Sequence, residues 1–212
     1  MNRPRSRRAL LASVVTTAAV ATGGFEHVSN AANRPPLESG TVPADWYDCQ
    51  SVTRHEPITP IDDGALEPRP YPPLPSGSVS EAADNSSAQS PPPSLVDSAA
   101  EYVTEFERAY RRNAFIARFG NMTRTFDLRR RAHRTAAIGS STNADAVMVA
   151  LRYDLTLGTQ QSAADPRDEW DIRVTYYVDQ NIVLRARYNG VAKDLSFEPD
   201  PRRQGELVAC LH

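Results

Sequence analysis

The chain has little lysine and little cysteine. Of the 24 basic residues among its 212, one is lysine, Lys193, and the rest are arginine. Two cysteines, Cys49 and Cys210, are too few for an all-cysteine zinc site. The four histidines, His27, His55, His133 and His212, fall in no HExxH or other metal spacing. No metal or cofactor site is therefore expected, and His133 reads as an exposed loop or strand residue. There is no Gly-x-Ser-x-Gly and no phosphate-cradling glycine loop. Catalysis by Ser or Cys would need a histidine oriented by a carboxylate, and the sequence sets up no such constellation. A formal charge of −2 argues against a nucleic-acid partner for the chain as a whole.

The first residues carry an address. Arg3, Arg5, Arg7 and Arg8 precede a mild apolar run from Ala9 to Ala21, then small residues with candidate cleavage points around Gly23–Gly24 or Asn30–Ala32. This is the anatomy of a signal peptide over residues 1–32. The Arg7-Arg8 pair, followed by Ala9-Leu10-Leu11, resembles a twin-arginine signal. The run is shorter than the roughly 20 apolar residues that span a bilayer, and Thr16 and Thr17 interrupt it. The expected location is extracellular or the outer face of the cytoplasmic membrane. Beyond residue 32 the chain holds 20 basic and 25 acidic residues, net −5.

Residues 33–97 hold 13 of the 17 prolines and read as an extended, largely disordered tether. Within it, 45–64 carries Trp46, Tyr47, Cys49, Val52, Ile58 and Ile61, apolar enough to dock on a folded body. Glu67–Pro75, EPRPYPPLP, predicts polyproline II, read as a stiff spacer, with a ligand for an aromatic groove as the alternative. Ser76–Pro93 is low-complexity and expected to be disordered. Asn85 and Asn121 head the two glycosylation sequons, and Asn85 is the more accessible candidate.

Residues 98–212 read as the folded domain. Ser98 to Glu101 has capping-box spacing, with Ser94 a rival start, and Tyr102, Val103, Phe106, Ala109, Tyr110, Ala114 and Ala117 repeat every three or four residues. That is one buried stripe of a helix stopped by Gly120. Glu101, Glu105, Glu107 and Arg111 are assigned to its polar faces. After Gly120 the period becomes two. Val147 to Leu157, Trp170 to Val178 and Ile182 to Tyr188 alternate apolar with polar, predicting strands with one buried face. An earlier strand is placed at about Thr123–Ala132. The expected fold is α+β: one long helix on a four-stranded antiparallel meander. This order resembles the cystatin-like and nuclear-transport-factor-like rolls, which implies a sheet curved around a helix and a cavity able to take a small-molecule ligand.

Outside the cell a disulfide is permitted. Cys49 and Cys210 are expected to pair within the chain, against the alternatives of two free thiols or a bridge between copies. The bond would close about 160 residues, which chain entropy rates at roughly 5 kcal/mol. The other candidate surface is basic. Nine arginines lie between Arg108 and Arg134, Arg111, Arg112, Arg129, Arg130 and Arg131 among them, beside Tyr110, Phe115, Phe119 and Phe126. Arginine with aromatics can grip a polyanion such as a surface glycan, although nearby Glu101, Glu105, Glu107 and Asp127 can neutralise it.

LEPRPYPPLP at Leu66–Pro75, SAAEYVTEFERAYRRN at Ser98–Asn113 and LVAC at Leu207–Cys210 together resemble small exported proteins of halophilic archaea. In that group a signal precedes a Cys-containing segment, an RPYP-type run, a helix with an EYERAY-like core and a meander ending near a Cys. The resemblance implies address and fold. This chain departs from it in lacking a lipoprotein cysteine and in carrying Ser76–Pro93 before the helix. The reading is an exported or envelope-associated binding or structural module, its partner an envelope component or a ligand in the roll. The alternatives are an enzyme using a cavity of the roll and a polyanion binder at Arg108–Arg134.

Overall fold

The computed structural model describes residues 40–43, 46–74, 95–140, 143–162, 166–190 and 194–210. The signal with Arg7 and Arg8, the sequon at Asn85 and the Ser76–Pro93 segment lie outside the described residues.

Helix α1 spans Leu95–Phe119; of the two candidate starts, Ser98 and its rival Ser94, the helix takes the earlier one. Tyr102, Val103, Phe106, Ala109 and Tyr110 form its buried stripe. Ala117 is exposed, and the buried arc continues through Phe115 and Ile116 instead. Gly120 follows with φ of 50° and open space where a Cβ would lie. The left-handed backbone, not crowding, is what asks for glycine there.

The sheet has five antiparallel strands in chain order: β1 Thr123–Ser140, β2 Asn143–Thr159, β3 Arg167–Asp179, β4 Ile182–Arg187 and β5 Glu206–Cys210. The expected α+β class holds, and the strand count is five. The additional strand is the terminal LVAC stretch, preceded by a short helix α2 at Pro201–Gln204 that Asp200 caps. At β5, Leu207 pairs with Leu184 and Cys210 with Ile182. The first strand also runs farther than expected, to Ser140, as the outer edge of the sheet.

One face of the sheet packs on α1. Leu128, Val149, Leu151, Tyr153, Leu155, Ile172, Val174, Tyr176 and Val183 meet Tyr102, Val103, Phe106 and Tyr110 in the main core. The expectation of a single buried face is corrected here. On the opposite face Met148, Tyr177, Ile182, Leu184 and Leu207 are buried in a second core with Val42, and Trp46, Tyr47, Val52 and Phe197 pack against it. Residues 172–179 are consequently buried without interruption, as expected for a strand covered on both sides. The alternation in β4 is thus the reverse of the single-face reading. Ile182 and Leu184 face the second core, and Val183 and Arg185 face the helix side.

Candidate functional site

The centre of the helix–sheet layer holds a charge. Glu107 of α1, expected on a solvated face, has no exposed surface, and the Arg185 side chain of β4 is 5 % exposed. Arg185 Nε donates to Glu107 Oε2 at 2.8 Å and Nη2 to Oε1 at 2.9 Å. Tyr153 of β2 donates its hydroxyl to Oε1 and Tyr176 of β3 to Oε2, each at 2.5 Å. A carboxylate offers about four acceptor positions, and this one has all four filled. Burial alone would push its carboxyl up, but the Arg185 charge and these hydrogen bonds hold it below its ordinary value. Burial and then the Glu107 charge push both tyrosines far above the usual phenol range. Their hydroxyls therefore stay protonated and remain donors.

The network continues toward the surface. Arg185 Nη1 donates to Glu206 Oε1 at 3.0 Å, Tyr110 donates its hydroxyl to the same oxygen at 3.1 Å, and the guanidinium lies 4.5 Å from the Tyr110 ring centre. The four strands and helix are thus tied through one ion pair. Two charges out of water cost several kcal/mol, so the pair is not stabilising merely by being present. Its effect is positional: the bidentate fork accepts one placement of α1 relative to β4.

Residues 46–74 form a strap over the open edge of this layer. Cys49 is bonded to Cys210 at the end of β5, with Cα atoms 5.7 Å apart. Thr53 donates its N–H to the Leu207 carbonyl at 2.9 Å, continuing along the β5 edge. The buried Asn113 of α1 then fastens both legs of the strap. Its Oδ1 accepts from Arg69 N at 2.9 Å, and its Nδ2 donates to the carbonyls of Arg69 at 2.9 Å and His55 at 3.3 Å. Tyr71 stacks on Phe106 with ring centres 5.0 Å apart and bonds the His55 backbone. Glu67–Leu74, expected as a free spacer, lies along the helix. At the far end Asp62 pairs with Arg124, and Ile61 N–H donates to the sequon residue Asn121 at 2.9 Å. A concavity of about 390 Å³ lies between the legs, lined by Arg54, Glu56, Pro68, Arg69, Tyr71 and Asn113.

The arginines that lie close in sequence separate in space. Arg108 pairs with Glu105, Arg111 with Glu169 at 3.1 Å, and Arg112 donates to the Glu67 carbonyl at 2.7 Å. Arg130 reaches back to Thr104 of the helix at 3.0 Å. Arg131 pairs with Asp154, and Arg129 is registered opposite Asp154. Those two share the sheet face opposite the helix, so Arg111, Arg112, Arg129, Arg130 and Arg131 do not form one surface. His133 is exposed. Among the described residues no three His, Cys, Asp or Glu side chains cluster to hold a metal, and no helix is long and apolar enough to cross a membrane.

Glu107, Arg185, Glu206 and Asn113 were not singled out by sequence reasoning. A signal for Glu107 existed: it lies four residues from Val103 and three from Tyr110, within the arc of the buried stripe. Compared with protein-family models, curated proteins and solved structures, the chain matches none of them.

Proposed function

We propose that this chain is a non-catalytic binding or structural module that works outside the cytoplasm, at the cell envelope or released from it. Its address rests on the twin-arginine-like signal at Arg7-Arg8 and on the resemblance to small exported proteins of halophilic archaea. The roll of cystatin-like or nuclear-transport-factor-like type is the finer reading of the fold, supported by one long helix followed by an antiparallel sheet whose strands lie in chain order. The observation that carries the non-catalytic reading is the saturated Glu107 carboxylate. A general acid or base needs a lone pair or proton within reach of substrate, and here both oxygens are engaged by Arg185, Tyr153 and Tyr176. An enzyme in the roll would have its most buried carboxylate already committed. The Cys49–Cys210 bond supports the exterior address, since such bonds persist in oxidising compartments.

Fractionation of native cells with sequencing of the mature N-terminus tests this. The expected result is a chain in the exterior or envelope fraction with no alkylatable thiol. A full-length, reduced chain in the cytoplasm overturns the address.

A further inference from the structure

Trp170 is left unexplained by the fold. It is 66 % exposed, and its neighbour Asp171 is exposed in part, while residues 172–179 of the same strand are buried. It sits in a bulge. Tyr153 is registered with Ile172 and Leu155 with Glu169, so Trp170 and Asp171 together stand opposite Asp154. Asp171 has φ of 54°, unfavourable for a residue with a side chain. Its tethers hold it there: its N–H donates to Asp154 Oδ1 at 3.1 Å, and its carboxylate accepts from Arg173 Nη2 at 2.8 Å. The bulge is therefore fixed on both sides and presents an indole to water.

The residues around it belong to the outer face of the sheet, beyond the edge of the second core. Arg152 is registered between Ala132 and Arg173 and lies 3.7 Å from Asp171. Arg131 pairs with Asp154, Arg129 is registered with it, and Arg134 stacks on Phe197 at 5.1 Å. Five guanidinium groups here meet four carboxylates, Asp154 and Asp171 beside the bulge and Asp127 and Asp168 flanking Thr156 one register step away. Three of the five come from β1, and the other two come from β2 and β3.

We propose that this face, with Trp170, Arg129, Arg131, Arg152 and Asp171 as its contacts, binds a glycan whose sugar rings carry carboxylates. A flat indole matches the C–H face of a sugar ring, burying apolar area while leaving the ring hydroxyls free. Guanidinium forks match carboxylates bidentately. The half-exposed Asp171 then accepts from sugar hydroxyls. A polynucleotide fits less well: its phosphates carry no donor for Asp154 and Asp171, whereas sugar rings bear hydroxyls that do. The proposal rests on the reading of the chain as an exterior binding module only for where the ligand is met. Binding itself is read on purified protein, so the two fail separately.

The test is titration of the disulfide-bonded chain with a galacturonate hexasaccharide, followed by tryptophan fluorescence and calorimetry. A neutral glucose hexasaccharide and a thymidine oligonucleotide serve as the other arms. The expected result is saturable binding to the galacturonate that Trp170→Ala weakens by about tenfold or more. Trp170→Phe should recover part of the loss. Arg129→Gln should weaken binding about threefold and reduce its dependence on salt. Thermal melts of the variants should match the parent, because these side chains are exposed. No binding to the galacturonate, equal binding by Trp170→Ala, or tighter binding of the neutral sugar or the oligonucleotide each overturns the proposal.

Discussion

Arg185 and Arg152 lie on the same sheet, on opposite faces, and do different work. Arg185 is shut between α1 and β4, its fork spent on Glu107. Arg152 stands over water beside Asp171, at a distance too long for a strong hydrogen bond. On the inner face every charge is answered and the geometry is fixed. On the outer face Arg129 stands opposite an Asp154 that Arg131 already holds, and an indole is left uncovered. Charge inside such a layer is a positioning device, and charge outside it remains available to a ligand.

The comparison can be broken at graded points. Arg185→Met leaves Glu107 buried without its counter-ion and should cost about 3–5 kcal/mol in chemical denaturation at neutral pH. Arg152→Met, removing an exposed partner, should cost less than about 1 kcal/mol. Equal losses would erase the distinction between the faces. The same asymmetry has a pH signature. Glu107's carboxyl is lower in the folded chain than in the unfolded one, so its contribution is full above the unfolded value of about 4.3. It is lost as pH falls through the lower folded value. Glu107→Gln should lose stability at pH 7 and show a shallower further loss on acidification.

Opening the disulfide comes next. Cys49→Ser should cost about 3 kcal/mol, and hydrogen exchange should rise first at Thr53 and His55, where the strap crosses β5 and Tyr110. Tyr153→Phe removes one donor to a buried carboxylate and should cost about 2 kcal/mol. Tyr102 supplies the contrast. Its hydroxyl is the one buried side-chain polar atom with no partner among the described residues. Tyr102→Phe should change stability by less than about 0.5 kcal/mol or raise it, because it removes a desolvated group and keeps the packing.

Periodicity made the frame legible. The stripe from Tyr102 to Tyr110 and the alternation of Val147 to Leu157 point to the helix and to the strand it covers, and the structure has both. β5 was not legible because LVAC is too short to display alternation, and its pairing with β4 comes from residues far away in sequence. The second half of β1 is mostly small and polar residues on a sheet edge, and Ala136 and Ile138, which pack against the second core, are too few to show a period. The first leg of the strap was legible as a docking segment from Trp46, Tyr47, Cys49 and Val52, but Glu67–Leu74 was read as a spacer because proline fixes local conformation and says nothing about what an extended segment lies against. Glu107 and Arg185 were assigned to solvent because isolated charges usually are. In β4 the warning was that Ile182, Leu184 and Ala186 flank Arg185 while Val183 is apolar too, which marks a strand buried on both sides. The outer patch was out of reach, since register alone brings Arg129, Arg152 and Asp171 together.

The central claim is that Glu107 and Arg185 are one buried unit that fixes the helix on the sheet. A double-mutant cycle with Glu107→Gln and Arg185→Met, read by urea unfolding at pH 7, tests it most directly. The account predicts a coupling above about 2 kcal/mol, with the double variant no less stable than either single one. Losses that simply add, with coupling near zero, would contradict it.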